Sequence, residues 1–126
     1  QQGHEVSGKT IVPDDADKVR NEIESHIGLA EIDVVISTGG TGISRRDGTY
    51  EVVSSLLDKQ IDGFGELFRA LSYEEIGPAA MLSRACAGIA NGTIIISVPG
   101  SEHAVRLAMT KLILPEIGHL VREARR

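Results

Sequence analysis

Twice along this 126-residue chain an apolar run of β type gives way to a loop of small polar residues and then to a helical pattern. The first run is Asp33–Ser37, followed by the loop Thr38–Asp47 and a helix from Thr49 to about Lys59. The second is Thr93–Val98, followed by Pro99-Gly100-Ser101 and a helix from near Glu102. Strand, loop and helix in alternation are the grammar of βαβ units, which restricts the chain to an α/β fold with a mostly parallel sheet. In open sheets of this class ligands bind at the carboxyl ends of the strands, where both loops lie.

The rest of the pattern fits the same architecture. Gly3–Val12 reads as a further strand, closed by Pro13-Asp14-Asp15. Val19, Ile23 and Ile27 then recur at helical spacing, with acids at the start and Gly28 at the stop. A helix from Gly63 with Leu67, Phe68 and Leu71 inward is predicted to break at Gly77-Pro78, and a shorter one to run from Ala79 to Arg84. Asn91-Gly92, between Ala85–Ala90 and Thr93–Val98, is a hairpin signal because this dipeptide accepts the positive φ angles of a type I′ turn. It adds one antiparallel strand. Pro115 opens a terminal amphipathic helix carrying Ile117, Leu120 and Val121. There is no linker, repeat or low-complexity tract, so residues 1–126 are read as a single domain.

Composition narrows the class of partner. With two Phe and two Tyr, the core is built from Val, Ile, Leu and Ala, and there is no aromatic platform for stacking bases. A formal net charge of -5 also argues against nucleic acid, which calls for a basic stripe. An anionic ligand therefore needs local, directed positive groups. Cys86 is the single cysteine, which excludes an intramolecular disulfide and points to a reducing compartment. No run reaches transmembrane length and no signal-peptide pattern is visible, so no membrane association and a cytoplasmic protein are expected.

The segment Ser37-Thr38-Gly39-Gly40-Thr41-Gly42 packs three glycines and three hydroxyl residues into six positions, and Arg45-Arg46-Asp47 closes it. Glycines permit close backbone approach, successive amides form anion-binding nests, and a following helix offers a partly positive end. It is neither a Walker loop nor a dinucleotide fingerprint, since Gly-Lys-Ser/Thr and G-x-G-x-x-G spacing are both absent. If the strands are parallel, Asp14, the Thr38–Asp47 loop and Ser97 with Pro99-Gly100-Ser101 share one edge. Two carboxylates and two amide-rich loops suit a phosphorylated substrate with Mg²⁺, with Arg45 or Arg46 offsetting phosphoryl charge.

Each piece also has a plainer reading. Asp14, Asp47 and Ser101 are all plausible helix N-caps, and Ser97 is a plausible strand end. Ser72 and Ser83 fit solvent-facing or back-bonded helical hydroxyls. His4, His26, His103 and His119 lack metal-ligand spacing, and Cys86 reads as a small buried residue.

Taken together, STGGTG at 37–42 with RRD at 45–47, GFGELFRALSYEEIGPAAMLSRACAGI at 63–89, SVPGS at 97–101 and ILPEIGHL at 113–120 resemble the MoaB/MogA family of molybdenum-cofactor biosynthesis. Leu71–Gly77 and the C-terminal block are closest to the MoaB branch. The resemblance implies a three-layer α/β/α sandwich assembled as trimers or hexamers, with other molybdenum-cofactor enzymes as further partners. It implies adenylylation of molybdopterin by Mg-ATP, giving adenylylated molybdopterin and pyrophosphate. Asp14 and Asp47 match the paired family aspartates that organise Mg²⁺ and orient the phosphates. Molybdopterin-contacting positions match Thr38, Gly39, Gly40, Thr41, Gly42, Ser72, Ser83, Ser97, Pro99, Gly100 and Ser101. At Ser97 the adenylylating relatives often carry Asn. An alternative within the resemblance is a molybdopterin-binding or scaffolding paralogue without transferase activity. The related domains of molybdate-inserting and nucleotide-salvage proteins fit the block at 71–84 less well. Family domains usually begin with a further strand, a loop carrying Ser-Asp and Ser-Gly, and a helix. These would precede Gln1, and the intact protein is expected to have them.

Overall fold

The computed structural model describes residues 4–126. Along the chain run α1 (Ala16–Glu24), β1 (Val34–Thr38), α2 (Thr49–Leu56), β2 (Lys59–Gln60) and α3 (Asp62–Ile76). A 3₁₀ segment (Gly77–Leu82), β3 (Cys86–Ala90), β4 (Thr93–Val98), α4 (Glu102–Ala108), a π turn (Met109–Ile113) and α5 (Leu114–Ala124) complete it.

The sheet order is β1-β4-β3-β2. β1 pairs parallel to β4, from Val34 opposite Ile94 to Thr38 opposite Val98, while β3 is antiparallel to both β4 and β2. Thus β1, β4 and β2 share a direction and β3 alone opposes them, as the Asn91-Gly92 signal predicts. Asn91 and Gly92 both take positive φ, 48° and 83°, and Ala90 faces Thr93 across the turn.

Alternation along β4 builds the three layers. Ile94, Ile96 and Val98 face α3, α4 and α5, packing with Phe64, Phe68, Leu107, Ala108 and Ile113. Ile95 faces the other way, joining Cys86 and Ala90 under Ile23 of α1 and Val52 and Val53 of α2. All six β4 residues are buried, and burial of each isoleucine contributes about 2 kcal/mol.

Several sequence expectations are corrected. The predicted strand Gly3–Val12 does not form: Gly3 lies outside the described residues, and His4–Val12 has no regular structure. Val6 and Ile11 are 86% and 92% exposed. An extended segment becomes a strand only by pairing, and among the described residues the outer edge of β1 has no partner, which leaves Ile36 exposed. The second helix stops at Leu56 instead of Lys59, because Lys59 and Gln60 turn to pair with Ile89 and Gly88. A side chain at Gly88 would strike the Lys59 carbonyl, so this pairing requires glycine there. On α3 the buried stripe is Phe64, Phe68 and Ser72, with Leu71 half-buried, whereas Leu67 lies off it and is exposed. The shorter helix is the 3₁₀ segment. The two C-terminal helices are continuous: a proline clashes with the carbonyl four residues back, and the π turn just before Pro115 widens the helix to accommodate it.

Candidate functional site

Three chain segments meet at the carboxyl ends of β1 and β4. Because the strands are parallel and adjacent, the loop after each begins at the same edge. The Gly39 amide donates to the Val98 carbonyl at 2.9 Å, and a side chain on Gly100 would come within 3.1 Å of the Gly39 Cα. The two loops therefore touch backbone to backbone. Gly39 and Gly40 take φ of 94° and 70°, in the left-handed region, and Gly40 is backed by Thr49 so closely that a Cβ would overlap the Thr49 hydroxyl. The Thr49 amide donates to the Gly40 carbonyl at 3.1 Å, tying the loop to the start of α2.

The third segment, Pro13–Asp15, reaches the edge through α1 rather than through a strand. Asp15 caps α1, its Oδ1 accepting from the Asp17 and Lys18 amides at 3.0 and 3.3 Å. Asp14 is thereby free of the capping role. Its carboxylate lies 3.7 Å from Arg46, and the Gly48 position lies against Ala16.

Asp47 is not a cap either, since α2 has Gly48 as its N-cap with no side-chain bond. The Asp47 Oδ2 accepts from both the Ser44 hydroxyl at 2.7 Å and the Ser44 amide at 3.1 Å. The Ser44 hydroxyl and amide, helped by the Arg84 charge and the Gly42 amide, hold the Asp47 carboxyl below the usual aspartate range. It is an ionised carboxylate at neutral pH. Both Ser44 bonds use Oδ2, so Oδ1 takes neither. Carboxylates such as Asp14 and Asp47 are hard oxygen donors of the kind that suits Mg²⁺, an ion that keeps waters and shares phosphate oxygens. Among the described residues no cluster of three or more His, Cys, Asp or Glu offers an all-protein metal cage.

The sequence does not reveal how the loop is held. Arg84 reaches back across the fold, its Nε donating to the Thr41 carbonyl at 3.0 Å and its Nη2 to the Gly42 and Asp47 carbonyls, the latter at 3.5 Å. The same guanidinium pairs with Glu51 and lies 4.8 Å over the Tyr50 ring. Arg84 holds the Glu51 carboxyl below its ordinary range. The one signal in the sequence is an arginine two residues ahead of a buried strand.

The other candidate residues divide. Thr38 is exposed, Gly39, Gly40, Gly42 and Pro99 are half-buried, and Thr41 is buried beneath the loop. Ser101 caps α4, its hydroxyl accepting from the Ala104 amide at 3.1 Å. Ser72 is enclosed on α3; Glu75, one turn on, pairs with His103 of α4 at 2.5 Å, which brings this face to the start of α4. Ser83 is half-buried next to Arg84, and its carbonyl accepts from Arg69 at 3.4 Å. Ser97 is fully enclosed in the row Ser37–Ser97–Cys86, and its hydroxyl has no partner. Ser72 and Ser97 are thus both enclosed by protein. Arg45 is exposed, and Cys86 is buried, its thiol pushed up by burial.

Two hollows lie away from this rim. One, of about 250 Å³, is lined by Tyr50, Asp62, Glu66, Arg69 and Cys86 beside β2. The other, of about 480 Å³, lies between α3 and the 3₁₀ segment by Tyr73, Pro78 and Met81. Neither contains the paired carboxylates or the glycine-rich loop. No helix of the described residues is long and apolar enough to cross a membrane.

Residues 1–119 match the family of probable molybdopterin-binding domains. The chain is 52% identical over 125 residues to molybdenum cofactor biosynthesis protein B of Bacillus cereus, covering 98% of this chain and 74% of that protein. It superposes on a crystal structure of a molybdenum cofactor biosynthesis protein B with a TM-score of 0.94 at 52% identity, covering 99% of this chain and 78% of the other. A tungsten cofactor synthesizing protein MoaB from Pyrococcus furiosus superposes with a TM-score of 0.79 at 43% identity, over 93% and 74% of the two chains.

Proposed function

The chain belongs to the MoaB/MogA family of molybdenum-cofactor biosynthesis, and from that premise we propose that it adenylylates molybdopterin with ATP. The observation that carries this reading is Asp47: an ionised carboxylate, fixed by Ser44, on a glycine-rich loop at the carboxyl end of a parallel strand. In the reaction a terminal phosphate oxygen of molybdopterin attacks the α-phosphorus of ATP. A new P–O bond forms, the bond to the bridging oxygen breaks, and pyrophosphate leaves with the electron pair. Asp14 and Asp47 would hold Mg²⁺, which when bound supplies neutralisation of the charge gathering on the phosphate oxygens. The Gly39 and Gly42 amides are engaged by the Val98 carbonyl and the Asp47 carboxylate, so the Gly40 and Thr41 amides of this loop bind the molybdopterin phosphate, and Gly100 leaves room for the two loops to close against each other. Arg46 sits where it can exchange Asp14 for a phosphate oxygen.

Self-association belongs to the same proposal. Phe64 and Phe68 are consumed by the core, but Leu67, Tyr73, Ile76, Met81 and Leu82 are exposed along α3 and the 3₁₀ segment. Such an apolar surface is typical of an interface between copies. Light scattering at micromolar concentration is expected to give a multiple of the monomer mass; a monomer would contradict it.

The activity is tested by incubating the protein with molybdopterin and Mg-ATP and detecting adenylylated molybdopterin by mass spectrometry. The expected result is product and pyrophosphate in equal amounts, with Asp47→Ala slowing turnover by roughly a hundredfold or more. Tight molybdopterin binding by calorimetry without product or ATP binding would replace the transferase with a carrier.

A further inference from the structure

The contacts of Arg84 concern orientation. In a trans peptide the carbonyl and the following N–H point in opposite directions, so holding one aims the other. Arg84 holds the Thr41 carbonyl with Nε and the Gly42 carbonyl with Nη2. That turns the Gly42 and Ile43 amides away from the guanidinium. The Asp47 carboxylate stands on this opposite side, 2.7 Å from the position a Gly42 Cβ would take, and the Gly42 amide contributes to holding it. The fork is itself fixed from behind by Glu51 and by the Tyr50 ring, one turn of α2 beyond the loop.

We propose that Arg84 is the positioning residue of the anion-binding loop: by pinning two successive carbonyls inward, it aims the Gly42 amide at the Asp47 carboxylate, which fixes that carboxylate on the rim, and the Ile43 amide at the phosphate of the ligand. The ligand's identity rests on the adenylylation reading, but the orientation does not. A planar guanidinium with donors spaced as a fork is required, because an ammonium is a single point charge and cannot span Thr41, Gly42 and Glu51 together. Arg84 touches no reacting atom in this arrangement, and it acts through the loop.

The test compares wild type with Arg84→Lys, and with Glu51→Gln as the milder variant that loosens the fork without removing it. In folded Arg84→Lys, amide hydrogen exchange at Gly42, Ser44 and Asp47, whose amides are bonded within the loop, is expected to speed up by roughly tenfold while exchange at Ile94–Ile96 stays unchanged. With molybdopterin and Mg-ATP, kcat is expected to fall by at least about tenfold, with KM for molybdopterin changing less. Glu51→Gln is expected to move the same quantities in the same direction by less, and it carries the test alone if Arg84→Lys does not fold. Unchanged loop exchange in a folded variant would overturn the proposal whatever the activity. Faster loop exchange in a protein whose wild type makes no product would support the positioning role and overturn the transferase reading instead.

Discussion

The two strand-to-helix junctions follow one grammar but are built differently. The junction after β4 is three residues long and holds itself, with Ser101 capping the helix that follows. The junction after β1 runs ten residues from Gly39 to Gly48 and cannot be closed by a local cap, because Gly48 has no side chain to offer. It is held from outside, by Arg84, and from within, by Asp47 on Ser44. A short loop can be fixed by its own sequence; a longer one that must leave amides and a carboxylate available needs a distant anchor. The short junction serves as a wall, and the long one carries the ionised group.

This contrast can be broken most sharply at Gly40. Alanine there must adopt a φ of 70° and overlap the Thr49 hydroxyl, so Gly40→Ala is expected to destabilise by about 3 kcal/mol and lower Tm by roughly 10 °C. Thermal unfolding checks it, and an unchanged Tm would mean the loop is free to relax. A smaller effect is expected at the short junction, where Ser101→Ala removes only a cap. About 1 kcal/mol and roughly 4 °C should be lost. Hydrogen exchange in residues 38–48 should be unaltered, since the Ser101 hydroxyl is engaged with the Ala104 amide of its own helix. The gentlest lever is acid. Asp47 and Glu51 both have folded pKa values below their ordinary ones, so their support of the long loop is present above about pH 4 and is lost as pH falls through the lower folded values. Exchange in the long loop, extrapolated for intrinsic rate, should therefore rise at acid pH before that of the short loop.

Much of this was legible in the sequence, and the reason is local. Asp33–Ser37 and Thr93–Val98 are dense in Val and Ile, and Asn91-Gly92 accepts the positive φ of a type I′ turn at low cost, so the strands and the hairpin fall close to their predicted places. Gly39-Gly40, at positive φ, and Gly100, in close approach to Gly39, announced the two loops. What the sequence hid depends on distant partners. His4–Val12 has a strand's composition, but pairing decides a strand, and no neighbour meets it among the described residues. β2 is two residues long and is defined by β3, not by its own pattern. Asp14 and Asp15 are adjacent acids, and only the geometry of α1 assigns the cap to Asp15 and frees Asp14. Arg84 lies 42 positions from the Gly42 carbonyl it holds, and no spacing rule spans that interval. The site residues that look alike as hydroxyls also separate only in three dimensions: Thr38 is on the rim, Ser101 is a cap, and Ser97 is enclosed.

On the proposed function the ligand binds on the rim formed by the two junctions and not in the hollow between α3 and the 3₁₀ segment. Hydrogen exchange with and without molybdopterin tests it most directly. Protection is expected at residues 39–47 and at Gly100 and Ser101, with none at Asn91 and Gly92. Protection confined to Tyr73–Met81, with the glycine-rich loop unchanged, would contradict it.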